Sequence, residues 1–258
     1  MRPALHAEWT KLRTTAGPAW LLLASVTVTV ALGAAVTAAI TCPNRGCGLD
    51  PTRLSLTGIY LSQAPVAILA VLAISGEHST GLISTTLTAI PHRPAVLTAK
   101  ATILTLTVAA SGGVAFLASL LVARAILPAN GFTPAHGYPS LSLANGSTLR
   151  AYAGSVLYLV LIALLSLGIG ATVRDSAAAI GTVLGLLYLP PILALSIDNP
   201  HWQRLLQQAA PMSAGLAIQT TTAPSTAPIG PWAGLAVLAA WAAGAFLTGT
   251  LVLQRRDT

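Results

Sequence analysis

The chain has 258 residues, of which 54% are hydrophobic and only 7% are charged, and its formal net charge is +7. Soluble domains are about a quarter charged, so the composition excludes water as the main solvent of this protein. The 13 basic residues are scattered over the loops without forming a cluster, which argues against a nucleic-acid surface and makes them a topology signal.

Residues 3–16 predict an amphipathic helix. Apolar side chains including Trp9 recur on one helical stripe, and Lys11 and Arg13 lie on other faces. We expect this helix to lie in the headgroup plane, with Trp9 at the interface and the basic groups toward anionic lipid. A plain soluble leader segment is the alternative.

Long apolar runs follow, and charged residues bound several of them as uncharged stretches of 22 or 23 residues. A helix of that length spans about 33 to 35 Å, close to the thickness of a bilayer core. The sequence therefore predicts an all-α polytopic membrane protein with one transmembrane domain over residues 1–258. The predicted spans are 18–40, 54–76, 101–123, 151–173, 176–197 and 231–253.

The basic residues predict the orientation of these spans. With a cytoplasmic N-terminus, eight Lys and Arg residues lie on inner segments and five on outer ones. The excess of inner positive charge favours cytoplasmic termini at both ends of a multi-pass protein of the cell membrane.

The first outer loop carries Cys42 and Cys47, separated by a short stretch with Pro and Gly. An outward-facing loop is oxidising, so a disulfide is the favoured interpretation, although two free thiols stay open. Asp50 and Pro51 then predict a helix start. Within the second span, Gln63 and Pro65 could line a polar path or loosen the helix. The alternative is simply a polar group at the lip of the helix and a kink.

Residues 77–100 form the longest predicted inner loop, beginning at Glu77 and ending at Lys100. Its middle, 82–90, is amphipathic enough for a short helix that Pro91 would close. In the fifth span, Gly181 and Gly185 are four residues apart, a spacing that lets helix backbones approach closely.

The sequence lacks the residue patterns that several kinds of binding site require. Neither lysine follows the glycine pattern of a phosphate-binding loop, so the chain is not expected to bind ATP in the Walker manner. The histidines are dispersed, and no cofactor or metal is expected in this chain. No carboxylate lies in the middle of a span, which counts against an ion-coupled transporter.

The opening residues 6–14, the inner loop from Glu77 through Gly81 to Pro91, Arg93 and Lys100, and the six-span layout resemble a known family. It comprises the permease subunits of ATP-binding cassette (ABC) exporters of the type 2 membrane family.

The resemblance implies a dimer of six-helix units, formed with a second permease copy or a homologue. Each unit would rest on a separate ATPase subunit, which would hold ATP and magnesium. It also implies that loop 77–100 docks into the ATPase as a coupling helix. Arg93 and Lys100 could instead merely enforce orientation.

Two alternatives remain. The chain could be a membrane immunity or signalling protein that binds a ligand through its outer loops and has no transport cycle. An intramembrane enzyme is a further alternative, disfavoured because the sequence shows no catalytic constellation.

Overall fold

The computed structural model describes residues 9–10, 14–42, 47–79, 93–138, 140–173, 175–222 and 228–255. Of residues 77–79, 93–96, 253 and 255, only the backbone is described. Within these ranges the chain is almost entirely helical and contains no strand. Six of the described helices are long and apolar enough to cross a membrane, which confirms the predicted all-α polytopic class.

The described helices follow one another in a simple order. They are α1 (Ala16–Ala39), α2 (Pro51–Ser55), α3 (Ile59–Ser79), α4 (Arg93–Ile126), α5 (Gly146–Thr172), α6 (Ser176–Leu195), α7 (Pro200–Ala209), α8 (Pro211–Leu216) and α9 (Pro231–Arg255). Short 3-10 turns lie at Pro134–His136 and Ala217–Gln219. The spanning helices are α1, α3, α4, α5, α6 and α9.

The second span differs from its prediction. Residues 54–76 were expected to form one helix, but the helix breaks at residues 56–58 and the span begins at Ile59. Gly58 lies at the break, where an added Cβ would overlap the Thr29 carbonyl oxygen of α1. This close backbone passage explains why the short helix α2 is separate from α3.

The third span also differs, because α4 begins at Arg93 rather than at residue 101. Its 34 residues correspond to about 50 Å, which exceeds the thickness of a bilayer core. Since α3 continues to Ser79 and α4 begins at Arg93, residues 77–79 and 93–100 of the predicted loop are helical. The predicted coupling helix at 82–90, with Gly81 and Pro91, lies outside the described residues.

Helix α5 is the centre of the bundle. Two-thirds of its span is buried (67%), whereas only 22% of α1, α6 and α9 is buried. It packs against α3, α4, α6 and α9. The contact with α9 is close because Gly168 of α5 lies against the Ala245 backbone, where a Cβ would clash. Peripheral helices with apolar exposed faces are what a lipid environment requires.

The two ends of the bundle differ. We call the end with Cys42, Asp50 and the α6–α9 connection the disulfide end, and the other the Lys100 end. At the disulfide end, α2 and the segment 211–219 insert between the spans instead of lying on top of them. In α2, Ser55 is buried and its carbonyl lies close to Gly33 of α1, more than a turn below the end of that helix.

Helices α5 and α6 both include residues that disfavour a helix. Gly146 begins α5, and the Asn145 carbonyl accepts a hydrogen bond from Leu149 N at 2.9 Å. Helix α6 continues through Pro190 and Pro191 to Leu195, so the two prolines do not end it.

Candidate functional site

A fully buried glutamine forms the centre of a polar cluster at the disulfide end. Gln63 of α3 accepts a hydrogen bond from the Tyr158 hydroxyl of α5 through Oε1. Its Nε2 donates to the Tyr60 carbonyl at 3.0 Å and lies 3.3 Å from Met212 Sδ of α8. One amide side chain therefore joins the second span, the fourth span and an inserted helix.

The fifth span joins the same cluster. The Tyr188 hydroxyl of α6 donates to the Tyr60 carbonyl at 2.6 Å, so this carbonyl accepts from two side chains. We call Tyr60, Gln63, Tyr158, Tyr188 and Met212 the Gln63 cluster. Gln63 is fully buried and hydrogen-bonded in the structure, rather than a polar group at the lip of a helix.

Two further contacts hold the inserted segments against α5. The hydroxyls of Ser55 in α2 and Tyr152 are 2.6 Å apart. Gln219, at the end of the second insert, donates from Nε2 to Ser155 Oγ at 3.0 Å. Buried polar groups need partners in an apolar surrounding, so these contacts fix the depth of both inserts.

Glycines make room for the insert 211–219. Added Cβ atoms would clash with the Ile218 side chain at Gly154 and with the Ala214 carbonyl at Gly234. Gly215 lies against the Tyr158 ring, where a Cβ would come within 2.7 Å. The insert is thus wedged between α5 and α9. The structure places this insert inside the bundle.

Asp50 has two roles at this end. As predicted, it caps α2: its Oδ1 accepts from Thr52 N at 3.0 Å and Arg53 N at 3.2 Å. The same carboxylate also accepts from the Thr221 N–H and hydroxyl, both at 2.7 Å, and from Thr222 N at 3.2 Å. Asp50 therefore joins α2 to residues 221 and 222, which follow the insert 211–219. Sequence reasoning found only the cap.

Cys42 and Cys47 form a disulfide, with their Cα atoms 6.1 Å apart. Cys42 is wholly buried against Phe132 and Tyr138 of the loop after α4. Its backbone N–H donates to the Asn130 carbonyl at 2.8 Å, and Asn130 Nδ2 donates to the Thr37 carbonyl at 2.7 Å. The disulfide loop is therefore attached to both α1 and the loop after α4.

At the Lys100 end, the structure covers only part of the predicted coupling loop. Lys100 lies two turns into α4 and is 4% exposed. Glu77 and Arg93 lie on the helical ends that flank the segment 80–92. Their side chains are outside the described part of the chain. In the predicted interfacial helix, Trp9 is helical and 48% exposed, whereas Lys11 and Arg13 are not described.

The predicted packing glycines of the fifth span do not contact another described helix. No atom lies within 4 Å of an added Cβ at Gly181, and at Gly185 the only close atom belongs to Leu189 of the same helix. The close helix approaches within the chain occur at other glycines, including Gly58 and Gly168. Within the described part of the chain, no other helix covers the face of Gly181.

Among the described residues, no three His, Cys, Asp or Glu side chains are grouped closely enough to hold a metal ion. The contacts described at the disulfide end are hydrogen bonds and packing contacts. This chemistry is that of a structured membrane bundle with a polar interior at one end.

In comparisons with known proteins, no family model matches the chain and no curated protein matches it.

Proposed function

We propose that the chain is the membrane-spanning permease subunit of an ABC transporter, an exporter that works as a dimer and is driven by a separate ATPase subunit. The proposal is supported by six helices able to span a membrane and by the resemblance of residues 6–14 and of the loop between the second and third spans. The longest connection between spans is about 35 residues, too short for a soluble ATPase domain.

The observation that carries the proposal is the path of α3 between the two ends of the bundle. This helix runs from Ile59 to Ser79, a length of about 30 Å. At the Lys100 end it leads directly into segment 80–92, the proposed ATPase contact. At the disulfide end it carries Tyr60 and Gln63, which bond to α5, α6 and α8.

A displacement of the coupling loop would therefore reach the far end of the bundle through one helix. Tyr188 connects Tyr60 to α6, the span with the open Gly181 face. If α6 faces the second permease copy, as we propose, motion of α3 changes the dimer interface. Substrate would then move between the two copies.

Pro65 adds a site of bending to this path. It lies within α3 and has no N–H to donate to the Leu61 carbonyl, so the helix lacks one backbone hydrogen bond there. The part with Gln63 can stay anchored to α5 while the remainder of α3 changes its angle. ATP binding by the partner would supply the energy for that change.

The test is recovery of a functional complex from native membranes. The tagged chain should co-purify with a subunit that contains a phosphate-binding loop and hydrolyses ATP, and vesicles with both should show ATP-dependent export. Glu77→Ala and Arg93→Ala should lower recovery or uncouple hydrolysis from export at normal expression. Arg204→Ala is the matched control, because Arg204 is an exposed cation on α7 at the opposite end.

The alternative is a membrane protein that binds a ligand through its outer loops without a transport cycle. Normal export by both loop variants would remove the coupling role. Purification without any ATP-hydrolysing subunit, together with vesicles that show no ATP-dependent flux, would favour the alternative.

A further inference from the structure

We propose that a single-chain anionic amphiphile binds in a cavity at the disulfide end, with its anionic group on Arg53. The cavity has a volume of about 930 Å³ and lies between the two inserts, bounded by α2, the start of α3, the end of α6 and the segment from α7 to the 3-10 turn. We call it the Arg53 cavity. Its ligand needs no ATPase, so the inference does not rest on the proposed function.

The charged groups of the lining favour an anion. Asp50 and Arg53 are the two charged residues that line the cavity within the described part of the chain. The Asp50 carboxylate already accepts five hydrogen bonds from α2 and from residues 221 and 222. Its acceptor positions are occupied by the fold, so it is a poor partner for a cationic ligand or a metal ion.

Arg53, in contrast to Asp50, has hydrogen-bonding groups left for a ligand. Its side chain is exposed, and its described side-chain partner is the Tyr60 hydroxyl, 3.3 Å from one terminal nitrogen. A guanidinium has five N–H donors in a planar fork that matches a carboxylate or phosphate. Among the described residues, Arg53 forms no ion pair with a carboxylate. The remaining donors can therefore bind an anionic headgroup.

The other walls are largely apolar. They include Leu54 of α2, Ala194 and Leu195 at the end of α6, and Leu206 of α7. Leu195 is 84% exposed, although it lines the cavity. Covering such apolar surface with a hydrocarbon chain is favourable in proportion to the area removed from water. A ligand that satisfies both the cation and these side chains must itself be amphiphilic.

The size of the cavity limits the ligand to a small one. Cavities for small molecules measure about 300 to 1,000 Å³, and 930 Å³ lies in that range. This volume suits one headgroup with one chain better than a folded peptide. The position at the end of a spanning helix is also where a single-chain amphiphile would enter from a bilayer or from solution.

The experiment is a calorimetric titration of the purified full chain in a non-ionic maltoside detergent. The probes are dodecyl phosphate, dodecanol and inorganic phosphate. We expect dodecyl phosphate to bind most tightly, because only it uses both the guanidinium and the apolar wall. In Arg53→Gln its affinity should fall roughly tenfold or more, the loss expected for a charge-assisted hydrogen bond.

Two matched variants complete the design. Arg204→Gln removes an exposed cation of α7 that does not line the cavity, and it should leave binding unchanged. Leu195→Asp places a carboxylate at an exposed lining position and should weaken dodecyl phosphate more than dodecanol.

Four results would overturn the proposal. They are equal affinity for dodecyl phosphate and dodecanol, equal losses in Arg53→Gln and Arg204→Gln, unchanged binding in Arg53→Gln, and inorganic phosphate binding as tightly as dodecyl phosphate. The last would show a site for free anions. None of these results depends on ATP hydrolysis or on Glu77 and Arg93, so failure here and failure of the transport proposal are distinguishable.

Discussion

The Tyr158 hydroxyl donates a hydrogen bond to Gln63 Oε1, and both side chains are completely buried. The bond joins the second and fourth spans at a distance of 95 residues along the chain. A polar pair in such surroundings contributes mainly because either partner alone would be left without a hydrogen bond.

This relationship predicts strong coupling between the two residues. Tyr158→Phe leaves the Gln63 amide oxygen buried without its partner and should cost about 1 to 2 kcal/mol in stability, the range of interhelical bonds in membranes. Gln63→Met should cost a comparable amount. The double variant should lose less than the sum, because no partner is left unpaired. Thermal unfolding in detergent measures all three.

Strictly additive losses would contradict this account of Gln63. Tyr138→Phe provides a control, because Tyr138 lies in the separate apolar cluster around Cys42. Its effect should add to that of Tyr158→Phe.

The Asp50 carboxylate predicts a second effect. Asp50→Asn replaces one carboxylate oxygen by an NH₂ group that faces N–H donors of the α2 start or of residues 221 and 222. We expect a loss of about 1 to 3 kcal/mol and faster amide hydrogen exchange in residues 217–222. Asp198→Asn, at an exposed position after α6, should change neither quantity. Unchanged exchange in Asp50→Asn would show that the carboxylate does not hold the second insert.

Two single variants remove the disulfide and differ in whether the replaced cysteine is buried. Cys42→Ser and Cys47→Ser both remove the bond, which for so small a loop is worth about 2 kcal/mol. Cys42 is buried against Phe132 and Tyr138, whereas Cys47 is exposed. Cys42→Ser also replaces the buried sulfur, which lies 3.8 Å from the Tyr138 hydroxyl, by a smaller and more polar hydroxyl, and should lower the melting temperature further. Equal melting temperatures would mean that the burial of Cys42 adds nothing.

The spans could be predicted because hydrocarbon thickness fixes the length of uncharged runs. The first, fourth, fifth and sixth predicted spans lie within five residues of their helices at both ends. The Asp50 cap could also be predicted, since it depends on two neighbouring amides. The break near Gly58 could not, because its cause is the passage of α1, far away in the sequence.

The polar contacts at the disulfide end could not be predicted from the sequence, for the same reason. Tyr158, Tyr188 and Met212 look like ordinary side chains of apolar segments, and only the fold brings them to Gln63. The insert 211–219 has too few residues to be recognised as buried by its length. The sequence gives one local indication of its burial, the absence of charged residues after α7. A segment on the surface can lack charged residues as well.

The open face of α6 leads to a last prediction, which separates packing within the chain from packing between copies. Gly58→Ala and Gly154→Ala should destabilise the single chain strongly. The new methyl group overlaps the Thr29 carbonyl in the first variant and the Ile218 side chain in the second.

Gly181→Leu should leave the stability of the chain nearly unchanged, because no other described helix lies within 4 Å of an added Cβ there. If α6 packs against a second permease copy, however, Gly181→Leu should lower the dimer fraction in native membranes. Cross-linking before solubilisation measures that fraction, and Gly113→Leu on α4, also without close neighbours, is the control. A dimer that withstands Gly181→Leu but falls apart with Gly113→Leu would place the contact on α4 instead.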